Sequence, residues 1–342
     1  MKKILSCFYL STLRLVKFLY DIKIIKKHAV SGIRVVSIGN LTFGGSGKTP
    51  MVSYLANFFD KIPLSYSVVS RGYKRNSKKN LIVSDKRGLL VDVGQAGDEP
   101  FMLGLKHKKT PIMVGSKVWG CRVAKNTFFS DVALVDDGFQ SYYLKKDISI
   151  LLIDSSVPFK DFSIFPLGKL RENIKAISRA NIVILTKINI PNSDQNKIRN
   201  LVLNNVGSQL YLESLFKSKL LKYGFSSDSF QEHNKLFINR PVVSFCGLAN
   251  NNSFNCFVKK YCSNVKEFLS FSDHHKYNDG DIKKIFKSLS SNKTKTIITT
   301  FKDFVKLKSV FLDCDVFVID VFHDILDREA LEKFLFKKLV RS

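Results

Sequence analysis

The residues best suited to chemistry lie in the run Gly39-Asn40-Leu41-Thr42-Phe43-Gly44-Gly45-Ser46-Gly47-Lys48-Thr49-Pro50. An apolar, strand-like segment, Ile33 to Ile38, precedes it, and a helix-like segment, Met51 to Phe59, follows. Strand, glycine-rich turn, Gly-Lys-Thr and helix, in that order, are the parts of a phosphate cradle. Glycines let backbone N–H groups face inward, the helix N terminus adds partial positive charge, and Lys48 reaches the outer phosphates. Thr49 offers its hydroxyl to a magnesium ion. The strict Gly-x4-Gly-Lys-Thr spacing is not met, because Thr42 stands where its first glycine belongs; Gly44 and Gly45 carry the flexible point closer to the lysine. Gly44, Gly45, Ser46, Gly47, Lys48, Thr49 and Pro50 are therefore read as a nucleotide-phosphate site.

A second group of residues supplies carboxylates. Val132 to Val135 is an apolar run that ends in Asp136-Asp137-Gly138-Phe139-Gln140. An acid at such a strand end holds magnesium directly or through water in phosphate-loop folds, so Asp136 and Asp137 join Thr49 as candidate metal residues. In Gly97-Asp98-Glu99-Pro100 two readings stand side by side. Asp98 is either the cap of the helix that follows or the acceptor of a substrate hydroxyl proton. Ser272-Asp273-His274-His275 follows a strand-like segment, where open α/β sheets bind ligands. Ser70-Arg71-Gly72-Tyr73 lies beyond another strand end, and Pro166-Leu167-Gly168-Lys169-Leu170-Arg171-Glu172 sets a fixed cation among apolar residues. Either cationic loop could meet an anionic substrate. Thr186-Lys187-Ile188-Asn189 is similar to the guanine-reading turn of GTPases, but Asn189 replaces the aspartate that would contact guanine, and it is read as a strand terminus.

These motifs need a sheet to position them. Strands are expected at Ser65–Ser70, Pro111–Val114, Val132–Asp136, Ile148–Ile153 and Ile182–Thr186, with helices at Thr49–Phe59, Glu99–Lys106 and Lys117–Phe129. That alternation predicts a parallel α/β sheet covered on both faces. The polar stretch from Pro191 to Asn200 and the serines near 226–229 suggest looser packing before a second α/β unit. That unit restarts at Pro241–Phe245 and continues through strands at Val265–Phe271, Thr296–Thr300 and Val316–Ile319. A chain of 342 residues with 45% hydrophobic content fits two such domains and excludes disorder. The net charge of +26 points to anionic partners, although 43 of the 55 basic residues are Lys, a bias that an AT-rich genome would also produce. Nucleic-acid readout leans on Arg, here outnumbered by Lys, and on basic runs interleaved with aromatics, which do not appear. Six cysteines without a Cys-x-x-Cys pair read as reduced thiols.

Residues 4–25 are mostly apolar, with Arg14, Lys17 and Asp21 on one helical stripe and Lys23, Lys26 and Lys27 crowding the end. The uninterrupted run Ile4 to Leu13 is too short to span a bilayer. No small-residue cleavage site follows it. An interfacial helix over residues 1–28, lying against acidic headgroups, is expected.

Taken together, the glycine run, Ser-Arg-Gly-Tyr, Gly-Asp-Glu-Pro, Asp-Asp-Gly-Phe-Gln, Pro-Leu-Gly-Lys-Leu-Arg-Glu, Asp-His-His and Thr300-Phe301-Lys302-Asp303 closely resemble one family. It is the tetraacyldisaccharide 4′-kinase family of lipid A biosynthesis. The resemblance runs in order from residue 36 to about residue 307. It implies transfer of the γ-phosphate of ATP to the 4′-hydroxyl of a lipid-linked glucosamine disaccharide 1-phosphate, with ATP and magnesium, at the cytoplasmic face of the bacterial inner membrane. It also implies two P-loop-like α/β/α domains joined by a hinge, here residues 29–225 and a smaller C-terminal domain at 226–342, with an N-terminal membrane-contacting helix. Lys48 and Thr49 would bind phosphates and metal, Asp136 and Asp137 would hold the magnesium shell, and Asp98 would be the general base. His274 would orient that base, and Arg171 would stabilise charge or contact substrate. No protein partner is predicted. Three positions depart from the family pattern: Ser141 stands for His, Asn173 for Pro and Phe301 for Glu.

Overall fold

The computed structural model describes residues 2–233, 240–248 and 251–340. The chain forms two compact units, Met1–Lys217 with Phe322–Ser342, and Ser218–Val321.

The first unit begins with α1 (Lys2–Asp21) and β1 (Arg34–Asn40), followed by α2 (Lys48–Phe59) and β2 (Tyr66–Ser70). A hairpin, β3 (Leu81–Asp85) and β4 (Gly88–Leu89), leads into α3 (Val93–Ala96), α4 (Asp98–Lys106) and β5 (Ile112–Val114). Then come α5 (Lys117–Asn126), β6 (Val132–Val135), β7 (Ile148–Asp154), β8 (Ile182–Thr186), α6 (Gln195–Leu203) and the start of β9 (Leu210–Gly224). The strand order is β4-β3-β5-β2-β6-β1-β7-β8-β9. From β5 to β9 every pairing is parallel, as between Val36 and Leu134 or Ile38 and Ile150, and β3 and β4 close one edge antiparallel. Buried on both faces, the central strands read as near-continuous Val, Ile and Leu. β1 lies in the middle, so its C-terminal end delivers the glycine turn to the sheet's ligand-binding rim.

The second unit contains the rest of β9, which forms a hairpin with β10 (Ser229–Glu232), then β11 (Val242–Cys246), α7 (Asn251–Tyr261) and β12 (Val265–Ser270). It continues with α8 (Asp279–Ser291), β13 (Thr296–Thr300), α9 (Phe301–Leu307) and β14 (Asp315–Ile325). Its parallel order is β12-β11-β13-β14. Leu220, Val242, Phe254, Val258, Ile298 and Phe317 form its core.

Several sequence expectations change here. The stretch from Pro191 to Asn200 is not loose, since α6 begins inside it and buries Ile198 and Val202, spaced one helical turn apart. α5 stops at Asn126 rather than Phe129, because the chain turns back with Ser130 N–H donating to the Ala124 carbonyl. The last helix, α10 (Arg328–Val340), belongs to the first unit rather than to a domain of residues 226–342. Its Leu331, Leu335 and Leu339 bury in the same core as Ile38, Met51 and Leu55.

α1 ends at Asp21, so Ile22 to Ile25 lie outside the helix. It touches the first unit through Ser6, whose hydroxyl donates to the Ile164 carbonyl, and Tyr9, whose hydroxyl donates to the Arg171 carbonyl at 3.0 Å. Most of its apolar side chains face outward, with Ile4 75% and Phe8 73% exposed. Among the described residues no helix is long and apolar enough to cross a membrane.

Candidate active site

The glycine turn joins β1 to α2. Gly44 (φ 118°) and Gly47 (φ 86°) sit in backbone conformations that favour glycine. A Cβ on Gly44 or Gly45 would meet nothing within 4 Å, so these two glycines face open space. Gly47 caps α2 without a side-chain bond, so no side chain occupies the amides of the helix's first turn as a cap. Pro50 lies in that first turn and brings no N–H to it. Lys48 is 15% exposed; its Nζ lies 3.5 Å from Asp137 Oδ1 and donates to Asn40 Oδ1 at 3.3 Å. Asn40 in turn donates to the Thr42 carbonyl and accepts at its own carbonyl from Gln140 Nε2.

The two neighbouring carboxylates occupy opposite environments. Asp136 is buried; its Oδ2 accepts from Ser70 Oγ at 3.3 Å, and its Oδ1 has no hydrogen-bond partner. Burial, then the nearby Glu99, push its carboxyl up to about 6 against the pull of Lys48 and Lys117. Asp137 (φ 49°) accepts from Arg171 Nη1 at 2.9 and 3.1 Å. Burial works against its charge, but Lys48, Arg171 and Lys117 hold its carboxyl below the ordinary range. One acid is thus short of positive charge and the other saturated with it.

An orphaned, buried carboxylate oxygen on Asp136 and the hydroxyl of buried Thr49 are hard-oxygen donors of the kind that fit magnesium, which protein sites bind through one or two carboxylates plus phosphate oxygens. No cluster of three or more His, Cys, Asp or Glu suited to a metal occurs among the described residues. Asp136 and Thr49 are the residues that would hold the ion, and phosphate oxygens would have to complete its shell.

Arg171 reaches Asp137 because two loops are strapped together. Phe43 N–H donates to the Lys169 carbonyl at 2.8 Å, and Arg171 N–H donates to the Leu41 carbonyl at 2.6 Å. The guanidinium also lies 5.0 Å from the Phe43 ring centre. The following Glu172 is buried and takes Tyr142 and Arg179 as partners, so it braces the loop from behind.

The three departures find places in the packing. Ser141 Oγ accepts from Lys117 Nζ at 2.9 Å, and the same ammonium donates to the Asp137 carbonyl. Asn173 caps the short turn that follows it by accepting from Lys175 N–H at 2.9 Å. Phe301 is buried against Phe230, with ring centres 4.5 Å apart, where a carboxylate would lack water.

Asp98 is the first residue inside α4, and Gly97 holds the cap position with no side-chain cap bond. The cap reading of Asp98 therefore does not describe this helix. A Cβ on Gly97 would come within 3.3 Å of the Tyr73 carbonyl, so Gly-Asp-Glu-Pro packs closely on Ser-Arg-Gly-Tyr. His274 belongs to the second unit, in a left-handed conformation (φ 58°) within the loop after β12. Buried Asp303 braces its neighbourhood by accepting from Gly247 N–H at 2.8 Å and Thr300 Oγ1 at 2.7 Å, while Lys306 Nζ donates to the His275 carbonyl. The structure thus gathers Lys48, Thr49, Asp136, Asp137 and Arg171 around the glycine turn, with Asp98 on the adjoining helix and His274 on the other unit. Three contributors had no role in the chemistry read from sequence: Asn40, Glu99, read only as a first-turn helix residue, and Lys117. Glu99 sits within a quoted motif and could have been found there, whereas no local pattern marks Lys117.

Comparison with known proteins bears on this arrangement. A model of the family described as tetraacyldisaccharide-1-P 4′-kinase matches residues 2–340. The tetraacyldisaccharide 4′-kinase of Halothermothrix orenii is 33% identical over 315 residues, covering 89% of this chain and 81% of that one. That of Aquifex aeolicus is 31% identical over 307 residues, covering 89% and 88%. A crystal structure of LpxK from Aquifex aeolicus in complex with ATP superposes with a TM-score of 0.75 at 28% identity, covering 98% of this chain and 97% of that chain.

Proposed function

This chain belongs to the tetraacyldisaccharide-1-P 4′-kinase family, and from that membership we propose how its residues divide the work. The protein is an ATP-dependent kinase of lipid A biosynthesis, and it moves the γ-phosphate of ATP to the 4′-hydroxyl of tetraacyldisaccharide 1-phosphate with magnesium.

In the proposed account Gly44 to Thr49 cradle the phosphates, with Lys48 on the outer ones. Magnesium, when bound, neutralises phosphate charge. Asp136 and Thr49 would hold it, and Asp137 would shape its surroundings from an ion pair with Lys48 and Arg171. The sugar 4′-oxygen attacks the γ-phosphorus, the bond to the β–γ bridging oxygen breaks, and ADP leaves. Asp98 receives the hydroxyl proton, and His274 supports that base. Arg171 stands ready to offset charge on the transferred group. The observation that best supports the account is Lys48 held between Asn40 and Asp137 at the N terminus of α2.

The transfer assay tests it directly. With labelled ATP and tetraacyldisaccharide 1-phosphate, the parent protein should yield labelled lipid and Lys48→Ala almost none. Labelled inorganic phosphate in place of lipid would refute the acceptor.

The substrate is lipid-linked, and we place the protein peripherally at the cytoplasmic face of the inner membrane. The outward apolar side chains of α1 and the net charge of +26 support this. Removing residues 1–27 should abolish sedimentation with anionic vesicles, whereas unchanged sedimentation would assign membrane contact to another surface.

A further inference from the structure

Two side chains outside the sequence motifs assigned to catalysis grip the glycine turn by its carbonyls. Lys187, in a left-handed conformation just after β8 (φ 62°), donates from Nζ to the Gly45 carbonyl at 2.7 Å and pairs with buried Asp154 at 2.5 Å. His323, from the end of β14, lies 2.9 Å from the Gly47 carbonyl through Nε2 and 3.0 Å from Ser214 Oγ through Nδ1. A carbonyl can only accept, so Nε2 carries the proton and Nδ1 accepts from the serine hydroxyl. Burial pulls the imidazole down to about 4, which keeps the ring neutral and this tautomer fixed at physiological pH.

The surroundings are equally committed. Phe216 lies edge-on to His323, with ring centres 5.5 Å apart, and its ring centre is 5.5 Å from Lys187 Nζ. Asn189 clamps the Phe216 backbone at both ends, donating to its carbonyl at 3.0 Å and accepting from its N–H at 2.7 Å. The position where a GTPase would present its guanine-reading aspartate is thus spent on holding this wall. A Cβ on Gly47 would come within 2.6 Å of His323 Nε2, so the imidazole fills the space behind the turn.

In a trans peptide the C=O and N–H point in opposite directions. The Gly47 carbonyl, held by His323 and by the Met51 N–H, therefore turns the Lys48 N–H the other way, while Lys187 holds the Gly45 carbonyl and the Ser46 N–H donates back to the Gly44 carbonyl at 3.1 Å. We infer that His323 and Lys187 are positioning residues that hold the phosphate loop in its ATP-binding form from behind. This inference rests on the reading of residues 44–49 as the phosphate site.

Full-length protein decides it, with ATP affinity measured by calorimetry in the presence of magnesium and with steady-state KM values for both substrates. His323→Leu should weaken ATP binding about tenfold and raise KM for ATP accordingly, the cost of removing one of the two donors to the buried Gly47 carbonyl, which keeps only the Met51 N–H. KM for the lipid acceptor should stay within about twofold, and His323→Gln, which restores an N–H donor, should recover most of the ATP affinity. A general loss of structure would move both KM values and would not be rescued. Unchanged ATP affinity in His323→Leu overturns the inference. If that variant does not fold, Ser214→Ala decides: weaker ATP binding supports the inference and unchanged binding overturns it. Lys48→Ala is the control for the underlying reading. If it binds ATP as the parent does, the phosphate site itself is misassigned. If it loses ATP while His323→Leu keeps it, only the positioning role fails.

Discussion

Asp136 is a buried carboxylate held at a cost to folding, and replacing it with an amide isolates that cost. Its carboxyl is raised from 3.8 to about 6 by burial and then by Glu99. At about 1.36 kcal/mol per pH unit, this corresponds to about 3 kcal/mol. The sign follows from linkage: between the two values the folded protein holds a proton that the unfolded chain has released, so stability falls as pH rises through that window. At pH 7 the full penalty is present, and below about pH 4 it is gone. The amide of an Asp136→Asn variant would mimic the protonated acid, keep an oxygen for Ser70 Oγ and carry no charge. In EDTA at pH 7.5, Asp136→Asn should therefore resist urea better than the parent by up to about 3 kcal/mol, and the two should converge by about pH 4. Magnesium with ATP should stabilise the parent and not the variant, and the variant should lose kinase activity. A variant less stable than the parent at pH 7.5, or a gap that does not close on acidification, would show that Asp136 is not a strained anion and would remove the main support for a cation beside it.

Other outcomes follow from the same geometry. Asp98→Asn should lower kcat about 10²–10⁴-fold with ATP affinity retained. His274→Ala should be markedly non-additive with it in a double-mutant cycle, and additive losses would separate the two roles. Arg171→Gln removes a charge-assisted contact shared by one guanidinium nitrogen between both Asp137 oxygens, at 2.9 and 3.1 Å, and should cost about 1.5–3 kcal/mol in kcat/KM, with Arg171→Lys recovering only part of it because the planar guanidinium over Phe43 is lost; full recovery by Lys would show that charge alone matters there. Phe301→Glu restores the residue of the family pattern but buries a carboxylate against Phe230, so a thermal melt should show destabilisation by about 2 kcal/mol or more, and an unchanged melt would refute the packing role.

The candidate site was legible in sequence wherever its geometry is local. Gly44 to Thr49 announce themselves because a strand, a turn with left-handed glycines and a helix must follow one another in the chain. Asp136 and Asp137 do so because an apolar strand ends in them. What was not legible depends on residues far apart. Nothing near Lys117 says that its ammonium serves the Asp137 carbonyl, nor near His323 that it backs Gly47. The fold shows the same division. β1, β2, β6, β7 and β8 are buried on both faces and read as apolar runs, but β9 intersperses Glu213, Lys217, Lys219 and Lys222 among its apolar residues and gave no clean period. α6 hides in a polar stretch because only Ile198 and Val202 bury fully.

The leucines of α10 carry a consequence for truncation. The hydrophobic core that holds Ile38, Met51 and Leu55 on either side of the glycine turn is closed by Leu331, Leu335 and Leu339, which follow the whole second unit in the chain. A premature stop after β14, or a cut that keeps only residues 1–217, would therefore strip one wall from the core on which α2 rests while leaving every residue of the glycine turn in place.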